Sequence, residues 1–285
     1  MIEIVSPGPF ATVQDLGRPG LAEIGVGESG AADRRSLRLA NRLVGNQEGA
    51  AGVELTFGGL VARFRRATVI AFAGASCPVR VAGRAGGMFA PIHVRAGDEV
   101  RVGAPADGLR TYLAVRGGVD VPPVLGSRAT DVLSGLGPPP LAPGRILPIG
   151  GPAEGRITVD LAPQPRRPEE PVLSVVPGPR DDWFAPEALT ALCSALYEVS
   201  VDSNRVGIRL RGPVLRRRAV RELDPEAMVP GALQVPPAGQ PVLFLADHPL
   251  TGGYPVIGVV AEADLHLAAQ ARPGGRIRFR LGRPG

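Results

Sequence analysis

From Gly52 to beyond Thr111 the chain is a series of short strand-like segments, at residues 54–57, 60–63, 67–73, 79–82, 92–94, 99–102 and 110–115, with Gly or Pro near most junctions. Runs this short are the length of strands, and turn residues between them bring each run back beside its predecessor. The pattern predicts an antiparallel barrel or sandwich. Gly and Pro number 39 and 31, about a quarter of the 285 residues. They alternate with Val, Ile and Leu instead of forming a repeat, so tight turns account for them better than disorder or a collagen-like helix does. With 44% hydrophobic residues, a chain of this length builds a substantial core.

One helix is plainly written. After Ser29-Gly30-Ala31-Ala32, Asp33 is placed to cap residues 34–44, where Leu37, Ala40 and Val44 recur at helical spacing and Gly45 follows the end. A second is expected from about Pro186, carrying Leu189, Leu192 and Leu196, and His266 falls in a third. Residues 2–5 and 172–176 read as strands, and Thr12 to Gly20 as a turn-rich loop with several hydrogen-bonding side chains. Residues 163–171, PQPRRPEEP, read as a linker. The expected division is a β-rich half at 1–165 and another at 166–285, with loose similarities between them, such as the glycine-turn segments at 96–102 and 273–279.

The 32 basic side chains are all arginine, against 27 acidic ones, a formal net charge of +5. Most arginines alternate with apolar residues on expected strands, and aromatics are only 4%. A nucleic-acid surface would cluster and interleave the two. The one cluster, Arg216 to Arg218 with Arg221, is read as a solvated face. Cys77 and Cys193 lack CxxC spacing, so structural thiols are expected and no metal site is. The first residues do not read as a leader and no stretch approaches the ~20 apolar residues of a membrane span, so the expected location is the cytoplasm.

The densest group of candidate site residues lies in the stretch 230–264. Residues 242–246 are continuously apolar, as in a strand covered on both faces; then Asp247, His248, Thr251, Gly252, Gly253 and Tyr254 fall together before a second apolar run at 256–261. The glycines leave main-chain N–H groups open to close approach beside a carboxylate, an imidazole and two hydroxyls. His248 next to Asp247 reads either as a general base or as a corner histidine. In Val201 to Gly207, Asp202, Ser203 and Asn204 suit a polar turn, while Arg205 suits a bidentate grip on a carboxylate. Gly25 to Gly30 satisfies G-x-G-x-x-G, yet no strand leads into it and no βαβ series follows, so a nicotinamide site is excluded. Gly27, Ser29 and Gly30 remain candidates for an anion, or for a plain turn before the helix. No nucleophile elbow, H-E-x-x-H or Walker A sequence occurs.

In this order, Thr12 to Arg18 (TVQDLGR), Gly30 to Asn46 ending ANRLVGN, Tyr112 to Gly118 (YLAVRGG), Asp202 to Arg205 (DSNR), Gly231 to Pro236 (GALQVP) and Thr251 to Pro255 (TGGYP) resemble the biotin-dependent carboxyltransferase family, which includes the C subunit of bacterial 5-oxoprolinase, once called allophanate hydrolase subunit 2, and KipA. The resemblance implies a mainly β protein of cyclophilin-like barrel units, in two related halves, working with a KipI-like B subunit and an A subunit. It implies ATP at the level of the complex and opening of the lactam of 5-oxoproline to glutamate. It also implies two alternatives: carboxyl transfer from biotin to a urea-like amide, or a non-catalytic antagonist of a KipI-like inhibitor. Under the first reading Asp247, Thr251 and Tyr254 act in catalysis, and Gln234, Gly252, Gly253, Arg205 and Asn204 bind the amide. The sequence departs from the family at Pro225-Glu226-Ala227, where Ser-Glu-Gly is usual, and at Pro249-Leu250, where Gln-Thr is usual.

Overall fold

A computed structural model describes residues 1–153, 155–218 and 223–282; Arg221 lies outside the described residues. The chain is mainly β with three short α-helices among the described residues. It forms two compact units: 1–18, 29–131 and 135–166 in the first, and 19–28, 132–134 and 167–285 in the second.

In the first unit the elements run β1 (Ile2–Ser6), β2 (Phe10–Gln14), α1 (Arg34–Leu43), β3 (Gly52–Thr56), β4 (Val61–Phe64), β5 (Thr68–Gly74), β6 (Val79–Val81), β7 (Arg84–Gly86), β8 (Ile92–Val94), β9 (Glu99–Val102), β10 (Arg110–Val115) and β11 (Ile146–Leu147). They make a six-stranded sheet, β11-β1-β4-β9-β6-β7, and a five-stranded one, β2-β3-β10-β5-β8. Alternate residues of both sheets, among them Ile4, Phe64, Val100, Leu55, Ile70, Phe72 and Leu113, share one core. The opposite face of the five-stranded sheet supplies Val69, Ala71, Ala73, Tyr112 and Ala114 to a second core, where Leu37, Ala40 and Leu43 of α1 pack. That double coverage is why β5 from Val69 and β10 from Tyr112 read as continuous apolar or aromatic runs.

The helix is where the spacing puts it. Asp33 caps it by accepting from Ser36 N at 2.9 Å, and Gly45 follows at φ +69°. Buried polar groups tie its start to the sheet: Tyr112 donates its hydroxyl proton to Glu54 Oε2 at 2.7 Å and accepts from Asp33 N at 2.7 Å. Glu54 Oε2 also accepts from Ala32 N at 3.0 Å, and Arg110 Nε stands 3.5 Å from Glu54 Oε1. The strand at Phe10–Gln14 replaces part of the expected turn-rich loop, because β3 offers it a full antiparallel ladder from Phe10↔Thr56 to Gln14↔Gly52.

The second unit contains β12 (Val172–Pro177), α2 (Ala188–Ser194), β13 (Leu196–Val199), β14 (Gly207–Arg211), β15 (Glu226–Ala227), β16 (Ala232–Gln234), β17 (Val242–Phe244), β18 (Thr251–Gly252), β19 (Val256–Val260), α3 (Glu262–Ala269) and β20 (Arg276–Leu281). Seven strands close into a barrel, β12-β19-β16-β17-β14-β13-β20, all antiparallel except the β12–β20 seam. Closure removes the sheet edges. Inward residues fill it, including Leu173, Tyr197, Ile208, Leu233, Leu243, Ile257 and Phe279, with the Tyr197 and Phe279 rings edge-on at 5.9 Å. Leu196, expected on the second helix, instead starts β13, where it pairs with Arg278. The two units are thus built differently, one from two sheets and a helix, the other as a closed barrel.

Burial, then the charge of Glu54, raises the Tyr112 pKa well above the ordinary 10.0. The unfolded tyrosine ionises first, so this contribution to stability is complete below pH ~10 and is lost as pH climbs toward the folded value. Tyr112→Phe should therefore cost about 2 kcal/mol at pH 7 through its lost hydrogen bonds. The same variant should show a flatter loss of stability above pH ~10 than the parent, checked by denaturant titrations across that range.

Candidate functional site

The polar corner in the second unit is held by a buried ion pair. Leu245 N bonds Val206 O and Asp247 N bonds Arg205 O, at 3.0 and 3.1 Å, so the end of β17 is laced to the turn before β14. That lacing sets the two side chains face to face: Arg205 Nε to Asp247 Oδ2 is 2.9 Å and Nη2 to Oδ1 is 3.0 Å. The side chains are 3% and 0% exposed. Asp247 Oδ2 also accepts from Val132 N at 3.2 Å. The fork of Arg205, expected to grip a substrate carboxylate, is thus on Asp247. Asn204 likewise serves the turn, its Oδ1 accepting from Val206 N at 2.8 Å and Gly207 N at 3.3 Å. His248 is buried, and its Nδ1–H donates to Pro249 O at 2.8 Å, which makes it a corner residue with a fixed tautomer.

A second group, Gln234, Thr251, Gly252, Gly253 and Tyr254, gathers around β18. β18 pairs with β15 in register Glu226↔Gly252 and Ala227↔Thr251. Gln234, buried at the end of β16, donates Nε2 to Tyr254 O at 3.2 Å. A Cβ at Gly252 would stand only 2.4 Å from that nitrogen, so glycine is what lets the amide of Gln234 lie against the strand. Thr251, Gly253 and Tyr254 are exposed. The corner therefore offers hydroxyls and an amide side chain beside the exposed backbone of Gly253, while the backbone of Gly252 is engaged in the β15–β18 ladder.

Arg180 and Glu226 belong to the same corner and had no local signal in the sequence, since their residues are 46 apart. Arg180 Nε donates to Glu226 Oε1 at 2.7 Å and its Nη2 bonds the same oxygen. Those hydrogen bonds hold the Glu226 carboxyl below its usual range. The glutamate in the altered Pro225-Glu226-Ala227 segment thus ties β15, the partner strand of β18, to Arg180.

Of the anion candidates, Gly27 belongs to the second unit and Ser29 and Gly30 to the first. Ser29 adopts φ +54° and its hydroxyl donates to Thr130 O at 3.3 Å; Gly30, φ +92°, packs so closely on Leu16 and Gly17 that a Cβ would meet both at 2.7 Å. The turn is tightly built, and α1 begins only at Arg34. Among the described residues no group of three or more His, Cys, Asp or Glu is placed to hold a metal ion. No described helix is long and apolar enough to cross a membrane. Asp247→Ala, which takes this carboxylate from the buried Arg205, should cost about 3–5 kcal/mol in denaturant unfolding, and pairing it with Arg205→Met should recover most of that loss.

The sequence of residues 24–281 matches the family model described as carboxyltransferase domain, subdomain A and B. The chain is 37% identical over 282 residues to the C subunit of 5-oxoprolinase from Escherichia coli (strain K12), covering 98% of this chain and 90% of that protein. It is 35% identical over 308 residues to urea amidolyase of Lachancea kluyveri, of which it spans 17%. Among solved structures it superposes on TTHA0988 with a TM-score of 0.88 at 38% identity, covering 98% of this chain and 55% of that one. On the urea amidolyase of K. lactis the TM-score is 0.91 at 31% identity, with 99% and 19% covered. The chain thus spans about half and about a fifth of the lengths of those two solved proteins. It belongs to the family of carboxyltransferase domains made of subdomains A and B.

Proposed function

We propose that this chain is the C subunit of an ATP-dependent 5-oxoprolinase, opening the lactam of 5-oxoproline to glutamate together with A and B subunits. The observation that carries this reading is the identity of 37% with the C subunit of a 5-oxoprolinase over nearly the whole of both chains. A second such C subunit, that of the Haemophilus influenzae 5-oxoprolinase, is 32% identical over 98% of this chain and 90% of its own. The corner chemistry is compatible. Attack on an amide carbon builds negative charge on its oxygen, and donors already aimed there lower the barrier. The backbone N–H of Gly253 and the amide of Gln234 supply such donors in this proposal, with Gly252 leaving room for that amide and the hydroxyls of Thr251 and Tyr254 moving protons at the nitrogen. Asp247 and Arg205 fix where the chain leaves β17 on its way to Thr251, and Asn204 keeps the turn that presents Arg205. Gly27, Ser29 and Gly30 remain an anion-binding proposal, narrowed by the engagement of the Ser29 hydroxyl. ATP is consumed by the assembled complex, and no residue of this chain is assigned to it; in the location proposed, the cytoplasm, both ATP and glutamate are at hand.

A second reading rests on the superposition with urea amidolyase: carboxyl transfer to a urea-like amide, for which biotin on a carrier protein brings the carboxyl group. Donors for an amide oxygen serve either substrate, so the corner suits both. Mixing the purified chain with its A and B partners, ATP and 5-oxoproline should yield glutamate. Carboxylation of urea by a biotinylated carrier in its place would establish the second reading, and tight binding to the B partner with no turnover of either amide would establish an antagonist of the KipA kind. Gly252→Ala separates site from scaffold: its Cβ displaces the flexible end of Gln234 and presses lightly on Met228, so unfolding free energy should change by about 1 kcal/mol while turnover falls about a hundredfold, as loss of the Gln234 donor from the oxyanion does.

A further inference from the structure

The Arg180–Glu226 pair leaves one carboxylate oxygen open. Both donors of Arg180, Nε at 2.7 Å and Nη2, fall on Glu226 Oε1. Among the described residues nothing bonds Oε2. The pair is therefore not the forked kind, in which each carboxylate oxygen takes its own N–H. Arg180 anchors one side of the carboxylate, and the other side is an acceptor without a donor. The Glu226 side chain is 25% exposed, enough for a ligand to reach it.

The ladder of β15 with β18 fixes which way that carboxylate faces. Glu226 stands directly opposite Gly252, and Ala227 opposite Thr251. Opposed residues of an antiparallel pair send their side chains to the same face, as do residues two apart on one strand. A Cβ at Gly252 would meet Gln234 Nε2 at 2.4 Å and Met228 Sδ at 3.3 Å. Met228 is two residues on from Glu226, so both contacts put Glu226 on the face where the Gln234 amide lies. Gln234 commits one N–H to Tyr254 O at 3.2 Å, and only the soft Met228 sulfur, 4.0 Å away, meets the same nitrogen otherwise. A donor of Gln234 and an acceptor of Glu226 thus share one face of the β15–β18 ribbon, wholly within the second unit.

The other acceptors of the corner are taken. Asp247 spends both oxygens on Arg205 and Val132 N, and His248 Nδ1 is held by Pro249 O. A five-membered lactam holds its C=O and N–H on the same side, so it asks for a donor and an acceptor side by side. A phosphate would set like charge against Glu226, and an ammonium group would set a donor against Gln234. A small amide answers both.

We propose that Glu226 reads the N–H of the substrate amide through Oε2, beside the Gln234 donor that takes the amide oxygen. This rests on the small-amide reading above and adds a specificity-determining residue to it. Arg180 acts through Glu226, as a positioning residue. Its two bonds turn the carboxylate and hold it below its usual range, so at neutral pH Oε2 is an acceptor only. An ester or lactone sets a second acceptor against it and is rejected.

The test is calorimetric binding to the assembled complex of 5-oxoproline and of its lactone analogue, in which the ring N–H is replaced by oxygen. The parent should bind the lactone about a hundredfold more weakly, because a carboxylate then faces another acceptor. Glu226→Met should shrink that ratio to within about threefold, while Arg180→Met, which removes the tether but keeps the acceptor, should leave it above about tenfold. Equal binding of lactam and lactone by the parent, or full discrimination by Glu226→Met, overturns the proposal. So does collapse of the ratio in Arg180→Met to the level of Glu226→Met, which means that the pair only ties β15 in place. If Glu226→Met does not fold, Glu226→Asp decides instead: it draws the carboxylate back by one methylene, and a ratio that does not fall overturns the proposal. A complex that makes no glutamate from 5-oxoproline rejects the functional reading and this residue with it; glutamate formation with a parent ratio near one rejects the role of Glu226 alone.

Discussion

The Arg205–Asp247 pair is the interaction on which the corner of the second unit depends. Both side chains are almost completely buried, and a charge out of water is tolerated only when an opposite charge and further hydrogen bonds meet it. The barrel creates that meeting, because the antiparallel pairing of β14 with β17 brings the turn before one strand to the end of the other. In return the ion pair fixes where the chain leaves β17, and the following residues, Thr251 to Tyr254, are presented from a defined point. A hydrophobic pair of equal volume would hold the turn as tightly but would not fix its direction through two parallel hydrogen bonds.

The first unit solves the same problem with a different cast. Glu54, on β3, takes the Tyr112 hydroxyl and the Ala32 amide, so the start of α1 is hung from the sheet by buried hydrogen bonds. This leaves the loop before the helix in tightly specified backbone conformations, including Ser29 at φ +54°, a cost that a non-glycine residue bears only when its surroundings impose it. The pattern common to both units is a rigid β frame that buries ionisable groups in order to place polar loops.

Local signals carried much of this fold. The glycine-punctuated apolar runs of the first unit became strands because each is short, β-branched and followed by a turn residue, and α1 ended within a residue of its expectation because Asp33 and Gly45 mark both ends. The strand at Phe10–Gln14 was hidden by the polar residues in it, which a sheet buries only when long-range partners such as Thr130 receive them. For the site, the clustering of Asp247 through Tyr254 was visible along the sequence, but the roles within it were not. Arg205 reads as a free ligand-binding arginine until residue 247 is known to lie against it, 42 residues away. Nothing in the sequence joined Arg180 to Glu226, since the two lie 46 residues apart and Arg180 has a nearer acidic neighbour in Asp182. Motif resemblance reached further than residue chemistry here because the matched segments preserve order along the chain, which pairwise spacing does not sense.

Membership of the carboxyltransferase family unites relatives that act on small amides by name, 5-oxoprolinase and urea amidolyase, and in the proposed chemistry one fold serves both because an amide oxygen demands the same donors in either. What distinguishes the substrates lies in the groups around that oxygen. The most direct measurement is hydrogen–deuterium exchange on the assembled complex with and without 5-oxoproline. Slower exchange confined to the amides of residues 247–254 is the expected result; an unchanged 247–254 segment while substrate is bound contradicts the placement of the site.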